Sequence, residues 1–232
     1  MIDVIPSDSR GVADHGWLKS KHTFSFADYH NPSMMGFAKL RVVNEDWIEP
    51  GKGFGTHPHR DMEIVTYMID GALEHKDSMG NGSVIRPGEL QRMTAGTGVM
   101  HSEFNHSTDD MAHLLQIWIL PERNGLEPGY EQKLFPGEEK HNQWRLVGSR
   151  DGRGGSLTIH QDVSLYSTVL DSNTEIDFSF EGRRRGFLQV VRGTVDIAGQ
   201  ELFAGDAVAT RDQESLSVRA VSSTELLLFD MA

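Results

Sequence analysis

HPHRDMEIVTYMIDG, residues 57–71, is the stretch whose reading decides the fold. It opens with two histidines at i and i+2, a spacing that points both side chains to one face of a strand. After a short charged break it continues as MEIVTYMI (62–69), rich in apolar and β-branched side chains, and stops at Asp70-Gly71, a turn signal. A strand, a break, a second strand and a tight turn within so short a span predict antiparallel β-structure.

The same grammar extends in both directions. Strand-like runs at 37–49, 83–86, 90–94 and 113–120 are separated by Glu49-Pro50-Gly51, Gly80-Asn81-Gly82 and Pro87-Gly88. No long amphipathic helix is evident, and the strands suffice for one small barrel. Residues 121–150 carry few strand signals and read as a connector. Strands resume at 156–160, 163–170, 187–191, 194–197, 206–209 and 225–229, enough for a second barrel. The two halves look like distant copies, since IDGALEHKDS with PGELQRMTAG is echoed by VRGTVDIAGQ with LFAGDAVATR. The expected division is 1–135 for an N-terminal barrel and 136–232 for connector and C-terminal barrel.

Composition excludes several classes of function. A formal charge of −12 opposes binding to phosphate backbones and anionic membranes, so no direct nucleic-acid or membrane partner is expected. With no cysteine there are no disulfides, thiolate metal sites or thiol catalysis, and redox chemistry must come from a bound cofactor. The N-terminus lacks the apolar core of a signal peptide and no later run of about 18 apolar residues occurs, which points to the cytoplasm.

The candidate chemistry lies in His57-Pro58-His59 and His101-Ser102-Glu103. Together they can offer three imidazoles and one carboxylate to one metal ion. Such a nitrogen and hard-oxygen set suits Fe(II), Mn, Ni, Cu or Zn, and leaves positions open for water, substrate or O2. No histidine follows His160, so one metal per chain is expected, held by the N-terminal barrel, with a C-terminal barrel lacking a metal site. Periodicity also places Glu63 on the face of His57 and His59 if the strand is unbroken. The H-x-E spacing instead delivers Glu103 with His101 as a chelating pair and favours Glu103, a choice that a bulge would reverse. His75, His106 and His113 stand outside the paired motifs and read as structural, as do His15, His22 and His30. Phe26, Phe37, Phe54 and Trp118 could line a pocket for a flat ligand, although barrels fill their interiors with such side chains anyway.

At these residues the chain resembles a known family. Gly51-x5-His57-x-His59-x3-Glu63 matches most of the first cupin motif, and Gly98-x2-His101-x3-Asn105 the end of the second. The glycine after Glu63 falls one place late, at Gly71, and Thr94-Ala95-Gly96-Thr97-Gly98 replaces the proline of the second motif. With HTFSFADYHNP (22–32), MTAGTGVMHSEFN (93–105) and IHQDVSLY (159–166), the chain resembles the pirins, two-cupin proteins made of tandem β-barrels. The resemblance implies His57, His59, His101 and Glu103 as metal ligands. It also implies an Fe(II)-type dioxygenase that opens a flavonol such as quercetin with O2 and releases carbon monoxide, with Glu103 as proton acceptor. Its alternative is a metal- and redox-dependent regulator that binds a transcription factor or metabolic enzyme. A cupin isomerase or lyase using Zn as a Lewis acid is a third reading. A monomer acting on a small aromatic substrate is expected.

Overall fold

The structure is a computed structural model and describes residues 2–232. The chain folds as two compact units, each a cupin barrel in which a long sheet faces a four-stranded one. In chain order the strands of the first part are β1 (Ile2–Ile5), β2 (Gly11–Asp14), β3 (Leu18–His22), β4 (Leu40–Ile48), β5 (Gly53–His59) and β6 (Glu63–Asp70). They continue with β7 (Leu73–Asp77), β8 (Gly82–Ile85), β9 (Glu89–Thr94), β10 (Val99–Asn105), β11 (Ala112–Ile119) and β12 (Gly129–Leu134). After a single-turn helix, α1 (Gly137–Lys140), come β13 (Arg145–Ser149), β14 (Leu157–Thr158), β15 (Val163–Leu170), β16 (Glu175–Ser179) and β17 (Arg185–Arg192). The last five are β18 (Thr194–Ile197), β19 (Gln200–Phe203), β20 (Ala207–Arg211), β21 (Ser215–Ala220) and β22 (Thr224–Met231).

The N-terminal unit pairs a seven-stranded sheet, ordered β12-β9-β6-β11-β4-β3-β2, with a second sheet, β5-β10-β7-β8. Central β6 is buried along seven of its residues because it lies between β9 and β11, which explains why MEIVTYMI reads as an apolar run and not as an alternation. By contrast β10 alternates, with Val99, His101, Glu103 and Asn105 turned inward. At the β6–β7 corner Gly71 has φ 76°, and a Cβ there would lie 2.5 Å from the Met111 carbonyl oxygen, so a side chain is excluded by both backbone and space. The C-terminal unit repeats the plan, with β16-β21-β18-β19 as its smaller sheet and β1, β20, β17, β22, β15 and β13 in its larger one.

The boundaries differ from the expected 1–135 and 136–232 at three places. β1 pairs with β20, so residues 2–10 belong to the C-terminal unit. Residues 157–161 belong to the N-terminal unit, because the Thr158 carbonyl accepts from Arg92 at 2.7 Å and the His160 amide donates to Glu63 at 3.1 Å. The connector is not strandless: β12 closes one edge of the N-terminal sheet by pairing with β9, and β13 pairs with β15. No residue of β12 is buried and its sequence, GYEQKL, is mostly polar, which is why the strand signal is weak there. No helix among the described residues is long and apolar enough to cross a membrane.

Candidate metal centre

β5 and β10 are antiparallel neighbours with His57 directly opposite His101. The register then shifts, so that Glu103 faces Phe54 and β5 carries one extra residue in the Gly55-Thr56 stretch. The bulge lies before His57 and allows Phe54 and His57, three positions apart, both to line the same cavity. It does not bring Glu63 in. Glu63 is fully buried elsewhere, accepting from the His160 amide at 3.1 Å with its Oε2 lying 3.2 Å from His160 Nδ1. Glu103 lines the cavity with His57 and His59.

The imidazoles of His57, His59 and His101 cluster with ring centroids 4.4–4.8 Å apart, and one ligand atom from each lies within 4.8 Å of the others. His57 Nδ1 lies 2.8 Å from the Gly55 carbonyl, so Nδ1 carries the proton and Nε2 keeps its lone pair. His101 is 2% exposed, and its Nε2 is buried without a hydrogen-bond partner among the described residues. A buried lone donor atom beside two other imidazoles fits a divalent metal, since burial of a polar atom is costly unless something binds it. A second group, His75, His101 and Glu103, also lies within 4.8 Å and shares His101 with the first.

Charge and burial tune the cluster toward ligation. Burial, then the neighbouring His57 ring, lowers the His59 pKa to about 4, and burial followed by the surrounding imidazoles lowers that of His101 to about 3. Both are therefore neutral and able to ligate near pH 7. Burial raises Glu103 to about 7, against the Gln116 amide, whose Nε2 donates to both carboxylate oxygens at 3.1 and 3.2 Å. Burial likewise raises Asp46, also on the cavity wall, to about 6, opposed by the hydrogen bond from the Ser20 hydroxyl.

The cavity measures about 700 Å³, within the usual span of about 300–1,000 Å³ for small-molecule sites. One wall is aromatic: Trp118 stands edge-on to His59 at 4.9 Å and to Phe26 at 5.4 Å, and Trp17 edge-on to Phe54 at 5.2 Å. The other is polar and includes Ser20, Asn44, Asp46 and Gln116.

Several residues fall where the sequence did not put them. His15 and His22 line the cavity, as do Phe26, Phe54 and Trp118, whereas Phe37 is buried outside it. His75 is fully buried against Asp77 and beside His101. Its sequence signal was present, because His75-Lys76-Asp77 has the same i, i+2 spacing as the two motifs. His113 is structural as expected, stacked on Trp47 at 4.5 Å and 2.9 Å from Glu45.

Comparison with known proteins agrees with this architecture. The pirin family model matches residues 6–119, and the model described as the quercetinase C-terminal cupin domain matches residues 146–231. A protein of Escherichia coli K12 named quercetin 2,3-dioxygenase is 48% identical over 100% of this chain and 99% of the relative. A pirin-like protein of Caulobacter vibrioides is 37% identical, with full coverage of both chains. The crystal structure of the E. coli bacterial pirin YhhW in complex with nickel(II) superposes with a TM-score of 0.95 at 48% identity, covering 100% of this chain and 99% of that one. The site is thus of a kind that takes a divalent metal, and on the strength of these full-length similarities the chain belongs to the pirin family.

Proposed function

We propose that this pirin is a metal-dependent dioxygenase that opens a flavonol such as quercetin with O2 and releases carbon monoxide, and that His57, His59, His101 and Glu103 hold its metal. The observation that carries the reading is the cluster of three imidazoles, with Glu103 beside His101, at a cavity of about 700 Å³ that has an aromatic wall and is lined by His57, His59 and Glu103. A regulator that reports the metal's oxidation state to a protein partner has no need of such a cavity. Relatives 39–48% identical carry the name quercetin 2,3-dioxygenase, three of them as putative, which supports the same substrate class.

A bound divalent ion, Fe(II) in our reading although Cu, Ni, Mn or Zn suit the donors, supplies a Lewis acid at the substrate hydroxyl and, if redox-active, a route to O2. The remaining work belongs to the chain. The rings of His57, His59 and His101 give three nitrogen donors on two neighbouring strands. Glu103 accepts the substrate hydroxyl proton on a carboxylate oxygen. Gln116 fixes the orientation of that carboxylate through both oxygens. Phe26, Phe54 and Trp118 hold a planar ring system and exclude water, while Asn44 and Asp46 meet its hydroxyl groups. The chain works as a cytoplasmic monomer on this small aromatic ligand, with neither nucleic acid nor membrane as partner.

The test is O2 uptake with carbon monoxide detection, using quercetin and protein loaded anaerobically with Fe(II). Coupled uptake and release that vanish in Glu103→Ala are the expected result. Firm metal binding without turnover would overturn the flavonol assignment.

A further inference from the structure

We propose that Asp77 and His75 form a positioning relay that fixes His101 in the one tautomer whose Nε2 can bind metal. The inference deepens the metal reading of the same cluster and rests on it. In the β7–β10 ladder Asp77 lies opposite His101 and His75 opposite Glu103. The side chains of His75 and Asp77 are both completely shielded from solvent, so water cannot substitute for any bond between them.

The direction of the relay follows from what each group can donate. Asp77 accepts at Oδ1 from the Met79 and Asn81 amides, at 2.9 and 3.0 Å, and at Oδ2 from Asn81 Nδ2 at 2.9 Å. His75 Nε2 stands 3.1 Å from the same Oδ2. A carboxylate so supplied accepts only, so His75 carries its proton on Nε2 and presents Nδ1 as a lone pair. Two groups lie 3.5 Å from that Nδ1, the Gln91 side-chain amide nitrogen and His101 Nδ1. A His101 protonated at Nδ1 would share that lone pair with the Gln91 amide and avoid setting two lone pairs face to face, and a neutral ring protonated at Nδ1 has its lone pair on Nε2. That Nε2 is the buried atom with no partner among the described residues. The separation of 3.5 Å is long for a hydrogen bond, as is common where a site tightens only once filled. Ligating histidines are oriented in this way by a bonded second nitrogen, and loss of the orienting group weakens metal binding by ~10- to 100-fold.

The same three positions in the C-terminal barrel are informative. Matching Leu73 to Val195 by their ladder partners Asn105 and Ala220 places Ile197 where His75 stands and Gly199 where Asp77 stands. The relay thus occurs only in the barrel that holds the histidine cluster.

The experiment uses the full chain. Long-range proton–nitrogen correlation spectra of the metal-free protein report which imidazole nitrogen of His75 and His101 is protonated, and Ni(II) titration reports affinity. The expected result is His75 protonated at Nε2 and His101 at Nδ1. In Asp77→Asn, which keeps the Oδ1 contacts but turns a donor toward His75, both tautomers are expected to change and Ni(II) affinity to fall ~10- to 100-fold at unchanged stoichiometry. A His101 protonated at Nε2 in the parent protein, or unchanged tautomers and Ni(II) affinity in Asp77→Asn, would overturn the relay. Should Asp77→Asn not fold, His75→Phe is expected to show the same loss of Ni(II) affinity, and unchanged affinity there overturns the proposal equally. If the parent protein does not bind Ni(II), the metal reading fails on its own, while the tautomers still decide the hydrogen-bonded order.

Discussion

The two barrels share a frame and differ inside it. Their ladders can be matched strand for strand, with Thr66, Gln91 and Gln116 of the N-terminal unit falling where Leu188, Val208 and Leu228 stand in the C-terminal one. On the smaller sheets His101, Glu103 and Asn105 correspond to Leu216, Val218 and Ala220. All six of these C-terminal residues belong to one apolar cluster with no more than 2% exposure. The corner glycines are common to both. Gly71 and Gly193 have φ 76° and 80°, and an added Cβ would meet the Met111 carbonyl at 2.5 Å or that of Ser223 at 2.2 Å. The corners and outer faces therefore specify the barrel, and the lining is free to be a hydrocarbon core or a polar site. A polar lining costs stability unless each group finds a partner, which Glu103 finds in Gln116 and Asn105 in the Ile48 and Asp110 carbonyls.

The largest expected effect separates the two linings by matched truncation. His101→Ala should weaken Ni(II) binding by ~1,000-fold or more with the fold retained, since a ligand is lost from a site the rest of the chain still holds together. Leu216→Ala at the matching position should leave Ni(II) binding unchanged and destabilise its own barrel by ~3 kcal/mol through the cavity created. Metal content and denaturant midpoints read both, and equal effects on metal binding would break the comparison.

A second prediction concerns the cost of the polar lining. Burial raises the Asp46 carboxyl from 3.8 to about 6. A carboxyl with a raised affinity in the fold gives its full stabilising contribution below its unfolded value and loses it as pH rises through about 6. A shift of that size corresponds to ~3 kcal/mol. The stability of the metal-free parent relative to Asp46→Asn should accordingly fall by ~3 kcal/mol between pH 4 and pH 8, by urea midpoints. A difference independent of pH would show that Asp46 is not strained by its burial. The smallest effect is expected at the aromatic wall, where Phe54→Leu should raise the flavonol KM ~5-fold with kcat changed less, as suits loss of one ring contact worth ~1 kcal/mol.

Much of this was legible in the chain itself. His57, His59 and His101 come together, with Glu103 beside His101, because i, i+2 spacing fixes side-chain direction on a strand, and that holds for any strand that pairs regularly. The bulge in β5 was not visible, since nothing in Gly55-Thr56 signals an extra residue and only the register with β10 reveals the mismatch. His75 and Asp77 were legible in spacing but not in role, because their strand reaches the site through β10 and pairing partners are not encoded locally. His15 and His22 were missed for a related reason. They lie in the loop-rich segment around β2 and β3, whose place on the cavity wall is set by pairing of β3 with β4.

The pairing of β1 with β20 has a consequence for biosynthesis. Ile2 to Ile5 lie against residues 207–210, about 200 positions further along. At ~5–20 residues per second, β1 emerges from the ribosome roughly 10 to 40 seconds before its partner is made. During that interval the strand IDVI has no native ladder to join, and once made β20 keeps an open edge until β1 returns to it. The longest-range strand pairing among the described residues is thus the outer margin of the barrel without the histidine cluster, and the nascent chain reaches the residues of that cluster long before this seam can close.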